Sequence, residues 1–144
     1  MTPTLLGRWQ TRFVLMGTVG AMVTVMFSYR LGDYLTPFAI LGYVTALGFI
    51  WDIVYNHYQL RRWDQDWPPI FQLITGISEG ILIGLLIILW PRFSGVGLPF
   101  ISSDLAVTIF MLHYSSVWAM TFIMTQGPLR VLFPNWRFFG GQIL

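Results

Sequence analysis

The chain has no cysteine and no lysine, and charged residues fill only 10% of its 144 positions. Without cysteine there is no disulfide, no thiolate nucleophile, no Cys-ligated zinc and no Cys-held iron–sulfur cluster, while the cellular compartment stays open. Charge this sparse is less than half of the ~25% expected of a water-soluble domain. Together with 56% hydrophobic residues and a mean hydropathy of +0.67, it points to lipid as the solvent. The formal charge of +2 is small and scattered, which excludes a nucleic-acid-binding field. Also missing are HExxH, the P-loop, GxSxG and a paired-aspartate motif, so no cofactor and no metal site is expected. The stretches RRWDQDWPP (61–69), HYSSVW (113–118) and NWRFFGG (135–141) name no family.

What is present is four apolar runs: Phe13–Leu31, Pro37–Tyr55, Ile70–Trp90 and Leu105–Thr125. At ~1.5 Å per residue each reaches roughly 28–31 Å, one hydrocarbon thickness. Breakers stand at the joints: Gly32-Asp33 and Pro37, then Trp67-Pro68-Pro69, Pro91, and Gly127-Pro128. The first run follows Arg8 and Arg12 as a signal peptide would. It is too long for a signal core and has no A-x-A-like site after it, so a retained transmembrane helix is expected. Asp104 is expected to cap the fourth helix. The methionines look like gap-filling in membrane helices.

The sequence therefore predicts an all-α integral membrane protein. It is a single membrane domain over 1–144, a four-transmembrane-helix bundle with short interfacial segments at both termini, 1–12 and 126–144. With four spans both termini share a side. That side holds Arg8, Arg12, Arg61, Arg62, Arg130 and Arg137, against Arg30 and Arg92 opposite. The positive-inside rule then puts the termini and the central loop in the cytoplasm, in a plasma membrane of the bacterial inner-membrane kind. Small residues should line the helix contacts, because apolar side chains gain little from one another over lipid. Candidates are Gly17 and Ala21, Gly42 and Ala46, and Gly76, Gly80 and Gly84; on the fourth run Ala106, His113, Ser116 and Met120 share a face.

Two groups of residues can carry chemistry. Glu79 lies about 13–14 Å from one boundary and His113 about 12 Å from the other, which brings both near the midplane. With Gln72, Thr75, Tyr114 and Ser116 they form a candidate buried polar or catalytic set: a proton relay, an ion site or an anchor for an amphiphile headgroup. The simpler reading is an interhelical pin worth about 0.5–2 kcal/mol. The second group is the end of the second span with its loop: Asp52, Asn56, His57, Arg61, Arg62, Trp63, Asp64, Asp66 and Trp67. It reads as a self-neutralised turn in which arginines pair with aspartates, or as a docking surface for a partner protein or lipid headgroup. His57 and His113 are too far apart in depth to share a haem.

The function expected first is non-catalytic: an accessory, assembly or scaffold subunit that binds membrane lipids, another membrane protein or a second copy of itself. One alternative is a proton- or ion-coupled transport component using Glu79 and His113. The other is a lipid- or isoprenoid-modifying enzyme with Glu79 as acid–base and His113 assisting.

Overall fold

The computed structural model describes residues 2–102 and 107–143, and within them every regular element is a helix. Four helices are long and apolar enough to cross a membrane. We label them α1 (Leu5–Leu31), α2 (Leu35–Leu60), α3 (Pro69–Ser94) and α4 (Val107–Gln126). A short α5 (Pro128–Leu132) and a 3-10 turn (Pro134–Arg137) follow. The Asp104 cap, and Ala106 in the expected face of the fourth run, lie outside the described residues.

Several of these helix ends have a local cause. Thr4 caps α1, its hydroxyl accepting from the Gly7 N–H at 3.1 Å. Helix α1 stops at Gly32, which takes the left-handed conformation (φ 69°) that glycine adopts without strain. Asp33 Oδ1 then accepts from the Leu35 and Thr36 N–H groups and starts α2; hydrogen bonds from Thr36 hold its carboxyl below the usual carboxylate range. Pro37 falls in the first turn of α2, where a missing N–H costs nothing. Pro69 opens α3 for the same reason. Pro91, expected to close α3, lies inside it, and the helix runs one more turn to Ser94 before Gly95 (φ 71°) ends it. That last turn needs no N–H from Pro91 to be completed by its own later donors, such as Gly95 N–H to Pro91 C=O at 3.0 Å.

Helix α1 packs on α2 and α4, and α3 packs on α2 and α4, so the four close into a ring. The core is Ile40, Val44, Ile83 and Phe110. The glycines of α3 do what their spacing predicts. A Cβ on Gly76 would overlap the Trp118 ring, one on Gly80 the Tyr114 ring, and one on Gly84 would lie 3.0 Å from Phe110. Three aromatic rings of α4, four residues apart, thus seat on three glycines of α3, four residues apart. Tyr114 fixes the register by donating to the Gly76 carbonyl at 2.6 Å.

The other two small-residue pairs are corrected. Gly17 and Gly42 are exposed with nothing near them, and the close contacts on those helices are made at Gly20 and Gly48. One cause is a π-helical turn at Met16–Gly20, in which the Ala21 N–H reaches back to the Met16 carbonyl. In an unbroken α-helix Thr24 would point about 120° away from Arg12. The extra residue of a π-turn removes about 100° of that rotation, so Arg12 below and Gly20, Thr24 and Ser28 above share the inward face.

The first run also starts earlier than expected. Residues 5–12, assigned to an interfacial segment, are the opening turns of α1 itself. The segment after α4 folds back onto those turns. Trp136 Nε1 donates to Thr11 Oγ1 at 2.9 Å, Thr4 N–H to the Gly140 carbonyl at 2.7 Å, and Thr11 Oγ1 to the Gly141 carbonyl at 2.9 Å. Trp136 is buried by this docking.

Candidate functional site

Between the helices, at the end that carries both termini and the 61–68 segment, lies a chamber of about 380 Å³. Its innermost polar feature is Arg12. The guanidinium crosses α2 at Gly48, where any Cβ would collide with it. One turn further along α2, Asp52 takes it in a two-bond grip, Nε to Oδ2 at 2.8 Å and Nη2 to Oδ1 at 3.0 Å. From α3, Glu79 completes the cluster, with Nη1 to Oε2 at 3.2 Å and Nη2 to Oε1 at 3.3 Å. Both carboxylates are almost fully buried. Every carboxylate oxygen of the triad therefore meets an Arg12 donor, which is the condition for burying such charge at tolerable cost.

Glu79 and His113 are not joined. His113 belongs to a separate buried cluster, where Nε2 lies 3.0 Å from Thr24 Oγ1 and the ring meets Phe27 edge-on. The single hydroxyl proton of Thr24 is donated to the Gly20 carbonyl at 2.7 Å. Nε2 must then carry the proton and donate to Thr24, leaving Nδ1 as a bare acceptor, which has no partner among the described residues. Of the set read from the sequence, Gln72, Thr75, Glu79 and Tyr114 line the chamber, whereas His113 and Ser116 do not. Gln72 Nε2 donates to Thr125 Oγ1 (3.0 Å) and its Oε1 accepts from Gln126 (3.1 Å), whose own oxygen accepts from Arg130 (2.6 Å).

The loop group divides in the same way. Asp52 is buried in the triad while His57, five residues on and about 140° round the helix, is exposed. Among the described residues no three His, Cys, Asp or Glu side chains gather to hold a metal. Arg62 pairs with Asp64 (Nη2 to Oδ2 2.7 Å) and covers Phe71. Arg61 is exposed, and Trp63 almost completely so at 95%. Asp66 and Trp67 turn inward to the chamber wall. Trp67 touches the Tyr55 ring (5.7 Å between centroids) and supports the Arg8 guanidinium 4.2 Å above it.

The residues that sequence reading missed are Arg12, Arg8, Tyr55 and Trp118. A partial signal was available: Arg8 and Arg12 are four residues apart and share a face below Phe13, although only the π-turn brings Gly20, Thr24 and Ser28 round to the same side. Gly48 and Asp52 share that spacing on α2. No protein-family model matches the chain, and no curated protein or solved structure matches it either.

Proposed function

We propose that the chain is a multi-pass membrane protein with a non-catalytic role, holding an amphiphile in the chamber beside Arg12 as an accessory or assembly subunit of another membrane protein. The observation that carries this is the chamber itself. Its volume falls in the ~300–1,000 Å³ range of small-molecule sites, and its wall is mainly apolar and aromatic, with Trp67, Tyr114, Trp118, Phe122 and Trp136. Its two innermost carboxylates are consumed by Arg12, which suits binding better than acid–base turnover. The transport and lipid-enzyme readings both drew on Glu79 and His113 acting together, and their separate clusters remove that reason for preferring them.

In this reading the chamber end faces the cytoplasm of a bacterial-type inner membrane. Arg8 and Arg12 turn inward and so count for less at the interface. Arg61, Arg62, Arg130 and Arg137 still outnumber Arg30 and Arg92, so the positive-inside rule gives the same answer.

The test is native mass spectrometry of the gently extracted protein, with Thr75→Trp as a variant that fills the chamber. An amphiphile retained at one per chain, and lost from a Thr75→Trp protein of unchanged helicity, is the expected result. Retention that the filled chamber does not alter would sink the reading.

A further inference from the structure

Around the chamber two donors are left without acceptors. The Nε of Arg8 and the hydroxyl of Tyr55 are both buried, and neither meets a partner in hydrogen-bonding geometry among the described residues, although the Tyr55 hydroxyl lies close to Glu79. Both residues line the chamber, and both rest on the ring of Trp67. Arg8 is also held in place from behind. Its Nη2 donates to Gln59 Oε1 at 2.6 Å. The Gln59 amide nitrogen is in turn anchored on the Pro3 and Gln65 carbonyls at 3.2 and 2.8 Å. Its partner is thus a neutral amide, and no carboxylate pairs with it among the described residues. A buried donor left unsatisfied costs as much as a lost hydrogen bond or more, and a cationic donor costs most.

The charges around these donors set the sign of what is missing. Asp52 and Glu79 have their oxygens occupied by Arg12, so the carboxylates are spent on an internal partner. A third carboxylate, Asp66, stands on the same wall, and so does Arg130, whose Nη2 and Nε are bound by Gln126 and the Thr125 carbonyl, both neutral. The unfilled hydrogen-bonding capacity is therefore donor capacity on a guanidinium and a phenol. Its complement is an acceptor with negative charge. The planar guanidinium suits carboxylate and phosphate oxygens, and such charge-assisted bonds are about twice as strong as neutral ones.

We infer that Arg8 and Tyr55 form the head-group site of the chamber, and that the amphiphile it takes carries an anionic oxygen head, a carboxylate or a phosphate monoester. This deepens the amphiphile reading above and depends on it. Trp67 acts as the platform that keeps both donors in place, and the apolar wall near Trp118 and Phe122 takes the chain of the ligand.

The probes are chain-matched: dodecyl phosphate, laurate and dodecyltrimethylammonium, each titrated into the protein in neutral maltoside micelles. Binding is followed by tryptophan fluorescence and by native mass spectrometry. Both anions are expected to bind about tenfold or more tightly than the cation, the scale of one charge-assisted contact. Arg8→Gln should erase that preference, Arg8→Lys should keep part of it, and Tyr55→Phe should weaken both anions several-fold. Helicity and monodisperse elution check that each variant is folded. If the cation binds as well as the anions, or if folded Arg8→Gln keeps the preference, the head-group assignment is wrong while the chamber remains an amphiphile site. If no probe binds, both readings fall. Inorganic phosphate alone is expected not to bind; saturable binding would make a free anion the ligand and overturn the amphiphile part of the proposal.

Discussion

Arg12 is one cation serving two buried carboxylates, and the balance of that cluster decides how each member can be changed. Removing the cation leaves Asp52 and Glu79 facing one another with no compensating charge. Breaking a buried ion pair in this way costs about 3–5 kcal/mol. Glu79→Gln is milder, because Arg12 keeps its two-bond contact with Asp52 and a glutamine oxygen can still accept. The expected order of melting temperature by circular dichroism in detergent is wild type, then Glu79→Gln, then Arg12→Met. Replacing all three, as Arg12→Met with Asp52→Leu and Glu79→Leu, should recover much of the loss, since it leaves no charge stranded. A triple variant no more stable than Arg12→Met would mean that the triad is not the source of the penalty. At this scale the sequence was half legible. Glu79 announces itself as a carboxylate in an apolar run, but depth alone matched it to His113. Depth is measured from the ends of apolar runs, and the Arg12 side chain carries its charge inward from just outside such an end.

The contact of α3 with α4 is a lock between two ladders, glycines on one helix and aromatic rings on the other. Gly76→Ala and Gly80→Ala place a methyl where the Trp118 and Tyr114 rings lie. Overpacking a close contact of this kind costs typically 1–3 kcal/mol. The penalty is specific to the ring opposite. Trp118→Leu should relieve Gly76→Ala and leave Gly80→Ala unrelieved, so a double-mutant cycle in thermal melts reads the pairing directly. Additive effects for Gly76 and Trp118 would reject the lock. Half of this element was readable in advance, because a glycine every four residues marks a face where something must come close. The identity of that something was not, since Phe110, Tyr114 and Trp118 look like ordinary apolar residues until a partner face is known. The same blindness misplaced the contacts of α1 and α2: Gly17 and Gly42 have the right spacing, and only the π-turn and the Arg12 slot at Gly48 decide which glycines turn inward.

For the whole molecule, helix number and rough extent follow from solvent and length, so four apolar runs with Gly and Pro at their joints were sufficient. The chamber was not foreseeable in that way. It exists because the segment after α4 returns to the start of α1, through contacts such as Trp136 with Thr11 that are 125 residues apart. No local pattern encodes such a meeting. The proposed orientation makes a sidedness prediction, since the chamber and the 61–68 segment belong to one end and the turn at Gly95 to the other. A chain without cysteine is well suited to test this, because each introduced thiol is the only one. Trp63 and Val96 are exposed at opposite ends and make good reporters. In intact spheroplasts a membrane-impermeant maleimide should label Val96→Cys at once and Trp63→Cys only after the membrane is opened. The reverse pattern would invert the proposed orientation and place the chamber on the outer face. Labelling of both from outside would mean that the ends lie on one side, and four crossings would no longer describe the chain.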